Sequence, residues 1–188
     1  MGLVSSFLLK FAKFSLLLAA LLFAVFLRFN SVSAFRSVSD IPSSWSCSRL
    51  FEDSLGQGSE DLAVHEASGR VIISSMSFVN VMSSSSFSNA NGGLFSLDVG
   101  QRQLSRLELR NVSDNSAFAP HGIDIVGNTM FVVAHQDRGD CIRVFRLHDD
   151  VATQEREICS PLFVSPNTVA GRADGSFFVV NDHSRSQV

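Results

Sequence analysis

The sequence predicts an all-β fold: a partial β-propeller of about two and a half blades, preceded by one N-terminal apolar helix. Three observations carry this expectation. A strand–turn–strand pattern recurs three times, the stretches between repeats hold further strand candidates, and no helical periodicity of ten residues or more follows the leader. The bland alternative is a β-sandwich whose hairpins look alike by chance.

The first repeat runs Glu60–Val64, turns at Ala67-Ser68-Gly69, and returns over Val71–Ser74. The second runs His121–Val126, turns at Gly127-Asn128, and returns over Met130–Val133. The third runs Asn167–Ala170, turns at Ala173-Asp174-Gly175, and returns over Phe177–Val180. Gly and Asn at the turns supply the left-handed backbone that tight hairpins need, and each second strand is the more apolar. After the first repeat come strand candidates Gly93–Val99 and Leu104–Leu109; after the second come Cys141–Leu147 and a weaker Gln154–Cys159. Four antiparallel strands per unit is the plan of a propeller blade. The repeat starts lie 61 residues apart (60 to 121) and then 46 apart (121 to 167). Those periods suit propeller blades of roughly 40–50 residues rather than the shorter solenoid repeats. The tract from Ser83 to Ser88 reads as a flexible loop.

The 188 residues suffice for one domain, with 45% apolar and 18% charged residues, a globular and not a disordered composition. A net charge of -3 leaves no basic patch, which argues against nucleic acid as a partner. The apolar total is raised by the N-terminus, where Lys10 and Lys13 precede an uncharged run from Phe14 to Leu27 closed by Arg28. This is the pattern of a secretory signal peptide, with Val32-Ser33-Ala34 as a small-residue cleavage site. As a helix the run is about 21 Å long, short of a bilayer core of about 30 Å. Extending it back through Phe7–Ala12, with the lysines snorkelling, lets it span, so a signal anchor in the membrane stays open beside a cleaved signal. Met1-Gly2 with Ser6 also fits the myristoylation pattern, a short motif best explained by chance. The chain thus divides into a signal or anchor (1–34), a linker (35–57) and an incomplete propeller (58–188).

Either leader places the rest of the chain in the secretory pathway, membrane-anchored or extracellular, where disulfides form. Three cysteines follow, Cys47, Cys141 and Cys159, an odd number that leaves one without a partner in the set. Cys141 and Cys159 read equally as a strand-to-strand disulfide or as two buried thiols. Asn111-Val112-Ser113 is the one glycosylation sequon.

The innermost strand of every blade lines the channel of a propeller, so the starts of those strands converge. Glu60, Asp61, His121 and Asn167 occupy such starts. Carboxylates, an amide and backbone carbonyls are the hard oxygen ligands that calcium prefers. Taken singly, Glu60, Asp61 and Asn167 read as turn formers and His121 as a satisfied core histidine; their shared position in the repeat is what points to a site. There is no Gly-x-Ser-x-Gly elbow, zinc-protease helix, P-loop or dinucleotide fingerprint.

Gly58-Ser59-Glu60-Asp61-Leu62, Pro120-His121-Gly122-Ile123 and Asn181-Asp182-His183, in that order, resemble motifs of the paraoxonase/arylesterase family, within the gluconolactonase and senescence-marker-like calcium propellers. The resemblance covers roughly residues 47–188. It implies a six-bladed propeller with two Ca2+ ions, hydrolysing small-molecule esters or lactones. Glu60 and Asn167 match ligands of the catalytic calcium; Asp61 and the Ile123 carbonyl match ligands of the structural calcium. His121 and His135 match the histidine pair that activates water, and Cys47 matches a cysteine bonded to the far end of the propeller. One departure is Thr168, a neutral hydroxyl where the family carries an aspartate ligand. The other is length: six blades need roughly 300 residues. The expectation is therefore an N-terminal part of a calcium-dependent hydrolase, inactive alone. The rival readings are a non-catalytic propeller that binds or scaffolds, and a strictosidine-synthase-like propeller, which lacks the paired Glu-Asp start.

Overall fold

In the computed structural model, residues 15–26, 50–51, 55, 58–112 and 118–182 are described. The chain divides into two units, Met1–Ser48 and Arg49–Val188. In the first unit residues 15–26 form a helix, α1, whose apolar side chains, Leu16, Leu21 and Phe26 among them, are exposed. Among the described residues no helix is long and apolar enough to cross a membrane. Cys47, the Val32-Ser33-Ala34 segment and most of the linker lie outside the described residues.

The second unit is built from three sheets. The first is an antiparallel meander of β1 (Ser59–His65), β2 (Arg70–Ser75), β3 (Gly93–Asp98) and β4 (Gln103–Arg106). The second runs in the order β5 (Glu108–Arg110), β9 (Val151–Cys159), β8 (Cys141–His148), β7 (Thr129–His135) and β6 (Ala119–Val126). The third is the hairpin of β10 (Pro166–Gly171) and β11 (Phe177–Asn181). One edge strand of each sheet, β1, β6 and β10, the first of its repeat, lies beside the next, with β6 packed against both neighbours. These are two blades and a half-blade of a partial propeller, with all three repeats where the sequence placed them.

Burial explains why β7 is apolar from Met130 to Ala134. Met130, Val132 and Ala134 enter a core shared with Ile72 and Leu94 of the first sheet. Phe131 and Val133, on the opposite face, enter a core shared with Val169 of β10. Alternate side chains point to opposite faces of a strand, so a sheet covered on both sides needs an uninterrupted apolar run. The outer faces are different: Leu62 and Val64 on β1, and Phe178 and Val180 on β11, are exposed.

One charge sits inside this core. The Arg143 side chain is fully buried, with its guanidinium 5.0 Å from the centre of the Phe118 ring and its Nε donating to Glu157 Oε1 at 2.9 Å. Burial would raise the Glu157 carboxyl. Hydrogen bonds from Arg143 and Gln136, with the charges of Arg143 and Arg138, outweigh it and hold the group below its usual range.

Three local expectations are corrected. The serine-rich tract is not one loop. Ser77 caps a short helix, α2 (Phe78–Ser84), that ends on Ser85 in the left-handed conformation, and Ser86 caps a 3-10 turn over Phe87–Asn89. Serines at both starts accept orphan amides, which is why a polar run becomes helical here. The strand expected over Leu104–Leu109 is split, because Leu107 turns into the core and donates to the Leu94 carbonyl at 2.9 Å. Beyond it β5 leaves the first sheet and pairs parallel with β9, so the pairing is not antiparallel throughout.

Neighbouring first strands are stitched by the same device. Asp61 Oδ2 on β1 accepts from the Ile123 amide on β6 at 3.0 Å, and Asp124 Oδ2 on β6 accepts from the Gly171 amide on β10 at 2.7 Å. Between β6 and β10 the backbones come so close that a Cβ on Gly122 would strike the Asn167 carbonyl and the Thr168 Cα. Cys141 and Cys159, opposite each other on β8 and β9, form a disulfide.

Two outcomes follow. Gly122→Ala should lower stability by about 1–3 kcal/mol through overpacking, read from the midpoint of urea unfolding; an unchanged midpoint would mean that β6 and β10 do not touch here. Replacing Cys141 and Cys159 by serine should remove about 2–4 kcal/mol, again by denaturant titration, and equal stability of the oxidised and reduced protein would contradict the pairing.

Candidate functional site

Each first strand carries a β-bulge at the residues singled out from the sequence. In β1, Ser59 pairs with Ser75 and Asp61 with Ser74, so Glu60 is the extra residue. In β6, Pro120 pairs with Ala134 and Ile123 with Val132, so His121 and Gly122 stand opposite Val133 alone. In β10, Pro166 pairs with Asn181 and Thr168 with Val180, leaving Asn167 extra. A bulge bends the strand and re-aims the side chain that has no partner.

Two of these residues, Glu60 and His121, meet in a chain of hydrogen bonds. Glu60 Oε2 lies 3.2 Å from His121 Nε2. His121 Nδ1 lies 2.9 Å from His135 Nε2, and His135 Nδ1 lies 2.8 Å from Asp140 Oδ1. The rings tilt against each other at 55°. His135 is the more enclosed, its side chain 8% exposed against 19% for His121. Phe87 covers it, stacked at 5.2 Å between ring centres. The Phe87 segment is tied to the β7–β8 loop by Asp137, which accepts from the Phe87 amide at 2.7 Å and the Ser86 hydroxyl at 2.6 Å. Ser74 on β2 fixes the other side of the site, donating to the His121 carbonyl and accepting from the Asp61 amide.

Burial pushes the His121 pKa down and the neighbouring His135 pushes it further, while Glu60, Asp182 and Asp61 pull it up without prevailing. At neutral pH His121 is an uncharged imidazole, able to accept a proton. The carboxylates behind the upward pull are two from β1, Glu60 and Asp61, and Asp182 just past β11.

Oxygen donors of the kind calcium takes are therefore present, and their chemistry fits the ion. They are engaged within the protein. Asp61 accepts from the Leu62 and Ile123 amides, so that the contact with Ile123 runs through its N–H. The Asn167 amide nitrogen donates to Asp182 Oδ2 at 2.9 Å, so its oxygen is the end that this bond does not use. Among the described residues, no group of three or more His, Cys, Asp or Glu side chains has the arrangement of a metal site. A shallow cavity of about 260 Å³ opens beside Glu60 and Asp61. A larger one, about 460 Å³, lies at Asp140, Glu157 and the Cys141–Cys159 bridge.

Of the remaining expected residues, Thr168 sits half-buried in β10 with its Cα against Gly122. Asn111 is exposed just past β5, with Ser113 of its sequon outside the described residues. Sequence reasoning gave no role to Asp140, Asp137, Ser74 or Asp182. Asp182 stood inside a quoted motif and was the one within reach; the others are loop or second-strand residues with no periodic signal.

A family model, Arylesterase, matches residues 46–187, most of the chain and all of the β unit described above. No curated protein matches the chain. The chain belongs to the arylesterase family, that of the paraoxonases.

Proposed function

We propose that this chain provides part of the site of a calcium-dependent hydrolase of small esters or lactones. The observation that carries the proposal is that the bulges of three adjacent strands fall at Glu60, His121 and Asn167, with Glu60 and His135 both meeting the His121 ring. Glu60 and Asn167 would hold the catalytic calcium, and Asp61, the Ile123 carbonyl and Thr168 the structural one. Bound calcium would polarise the ester carbonyl and stabilise the charge developing on its oxygen. His121 takes the proton of the attacking water, which its lowered pKa permits, and His135 supports its Nδ1. The exposed apolar faces of β1 and β11 support the presence of further blades in the complete site. The Cys141–Cys159 disulfide supports passage through the secretory pathway; the exposed apolar helix α1 supports a signal or membrane-anchoring leader, and a glycan on Asn111 suits the same compartment.

One observation favours a non-catalytic propeller: Asp61 is engaged by two backbone amides, a structural duty that needs no metal. The two readings separate by experiment. Two groups for one ion, and three with Thr168 for the other, fall short of the roughly six to eight oxygens that each calcium takes. Calorimetric titration of the 35–188 fragment should give millimolar calcium binding at best, with no hydrolysis of phenyl acetate. Micromolar binding would refute the incomplete shell. A six-bladed fusion carrying these blades should hydrolyse phenyl acetate with calcium, and Glu60→Gln should lower kcat/KM on the order of 100-fold. A folded, calcium-loaded fusion without activity would favour the non-catalytic reading.

A further inference from the structure

The β7–β8 loop does more than join two strands. Between His135, the last residue of β7, and Cys141, the first of β8, it makes a tight turn in which the Gly139 amide donates to the Gln136 carbonyl at 3.0 Å. Gly139 has φ 116°, open to glycine and costly for other residues. The turn brings Asp140 back beneath His135, and the next residue is tied to β9 by the Cys141–Cys159 disulfide. Asp140 is thus held from both sides, and its carboxylate, 17% exposed, faces the His135 ring.

We propose that Asp140 is a positioning residue that fixes the direction of the proton chain through His135 and His121. A neutral imidazole has one N–H and one bare nitrogen, and the partner on one side decides which is which. An ionised carboxylate only accepts. With Asp140 Oδ1 at 2.8 Å, His135 must carry its proton on Nδ1; the reverse tautomer would set two lone pairs face to face at hydrogen-bond distance. His135 Nε2 is then bare and accepts from His121 Nδ1–H across 2.9 Å. The one ring position left to take a proton is His121 Nε2. Two neutral rings supply two protons for three contacts, so one contact goes without; the carboxylate at 2.8 Å, Asp140, prevails over Glu60 Oε2 at 3.2 Å, and the bare His121 Nε2 gains a hydrogen bond to Glu60 only when it takes a proton. Asp140 therefore acts through two rings, without touching the substrate. Phe87, stacked on His135, stands in the way of the ring flip that would put carbons where its nitrogens face Asp140 and His121. The catalytic value of this direction rests on the reading of His121 as the base in the hydrolysis proposed above; the direction itself does not.

The test is the tautomer, read directly. In long-range 1H–15N spectra of the 188-residue protein at pH 8, above the ordinary histidine pKa of about 6.5, both His121 and His135 should show a protonated Nδ1 and a bare Nε2. A wild-type His135 with its proton on Nε2 would overturn the proposal without any variant. In Asp140→Ala the acceptor is gone, and the His135 and His121 signals should both shift toward the Nε2–H form. Unchanged tautomers in a variant whose circular dichroism matches wild type would also overturn it. The outcomes are separable from those for the hydrolase: the expected tautomers in an inactive six-bladed fusion would refute the hydrolytic reading and leave the role of Asp140 standing.

Discussion

A strand that carries more residues than its partner can pair must push some of them out of the ladder. In this chain that excess falls in the first strand of each of the three repeats, at Glu60, at His121 with Gly122, and at Asn167. A regular strand would alternate these side chains between the two cores. The bulge frees them from alternation, which permits polar groups to sit among strands whose other residues are apolar. The site exists because the three bulges fall side by side, and they do so because β6 is held between β1 and β10.

That lateral contact has a mixed basis. Carboxylates accept backbone amides across each junction, Asp61 to Ile123 and Asp124 to Gly171, and Gly122 lets two backbones approach more closely than any side chain would. Beneath these polar stitches the two cores on either face of the middle sheet supply the larger, non-directional attraction. The hydrogen bonds set position, and the apolar contact provides cohesion. Arg143 is the exception: a buried cation paired with Glu157 and an aromatic face is weak evidence of stability, since removing Glu157 leaves the guanidinium charged and dry.

Acidic residues in the loops perform most of the local ordering. Asp137 holds the Phe87 segment over the site, Asp140 orients His135, and Asp182 engages Asn167. Asp182, with Glu60 and Asp61 of β1, also raises the negative field around His121, offsetting part of the effect of its burial. Structural and chemical duties are therefore shared among few residues.

The sequence by itself determined the hairpins, the blade plan and the family. The alternation of apolar residues, the Gly and Asn turns and the spacing of the repeats are local properties, and Glu60, Asp61, His121 and Asn167 were legible because each opens a repeat. It could not distinguish a disulfide from two thiols at Cys141 and Cys159, because the answer depends on strand register. Nor could it see that Ser77 and Ser86 start helical turns within a run of serines, or that Leu107 ends one sheet and sends β5 to the edge of the next. Asp140 and Asp137 were hidden for the same reason: an aspartate in a turn has its own local explanation, and nothing in the order of residues says which ring or amide it will face. Only the tertiary structure decided those partners, because they are set by the packing of sheets distant in sequence.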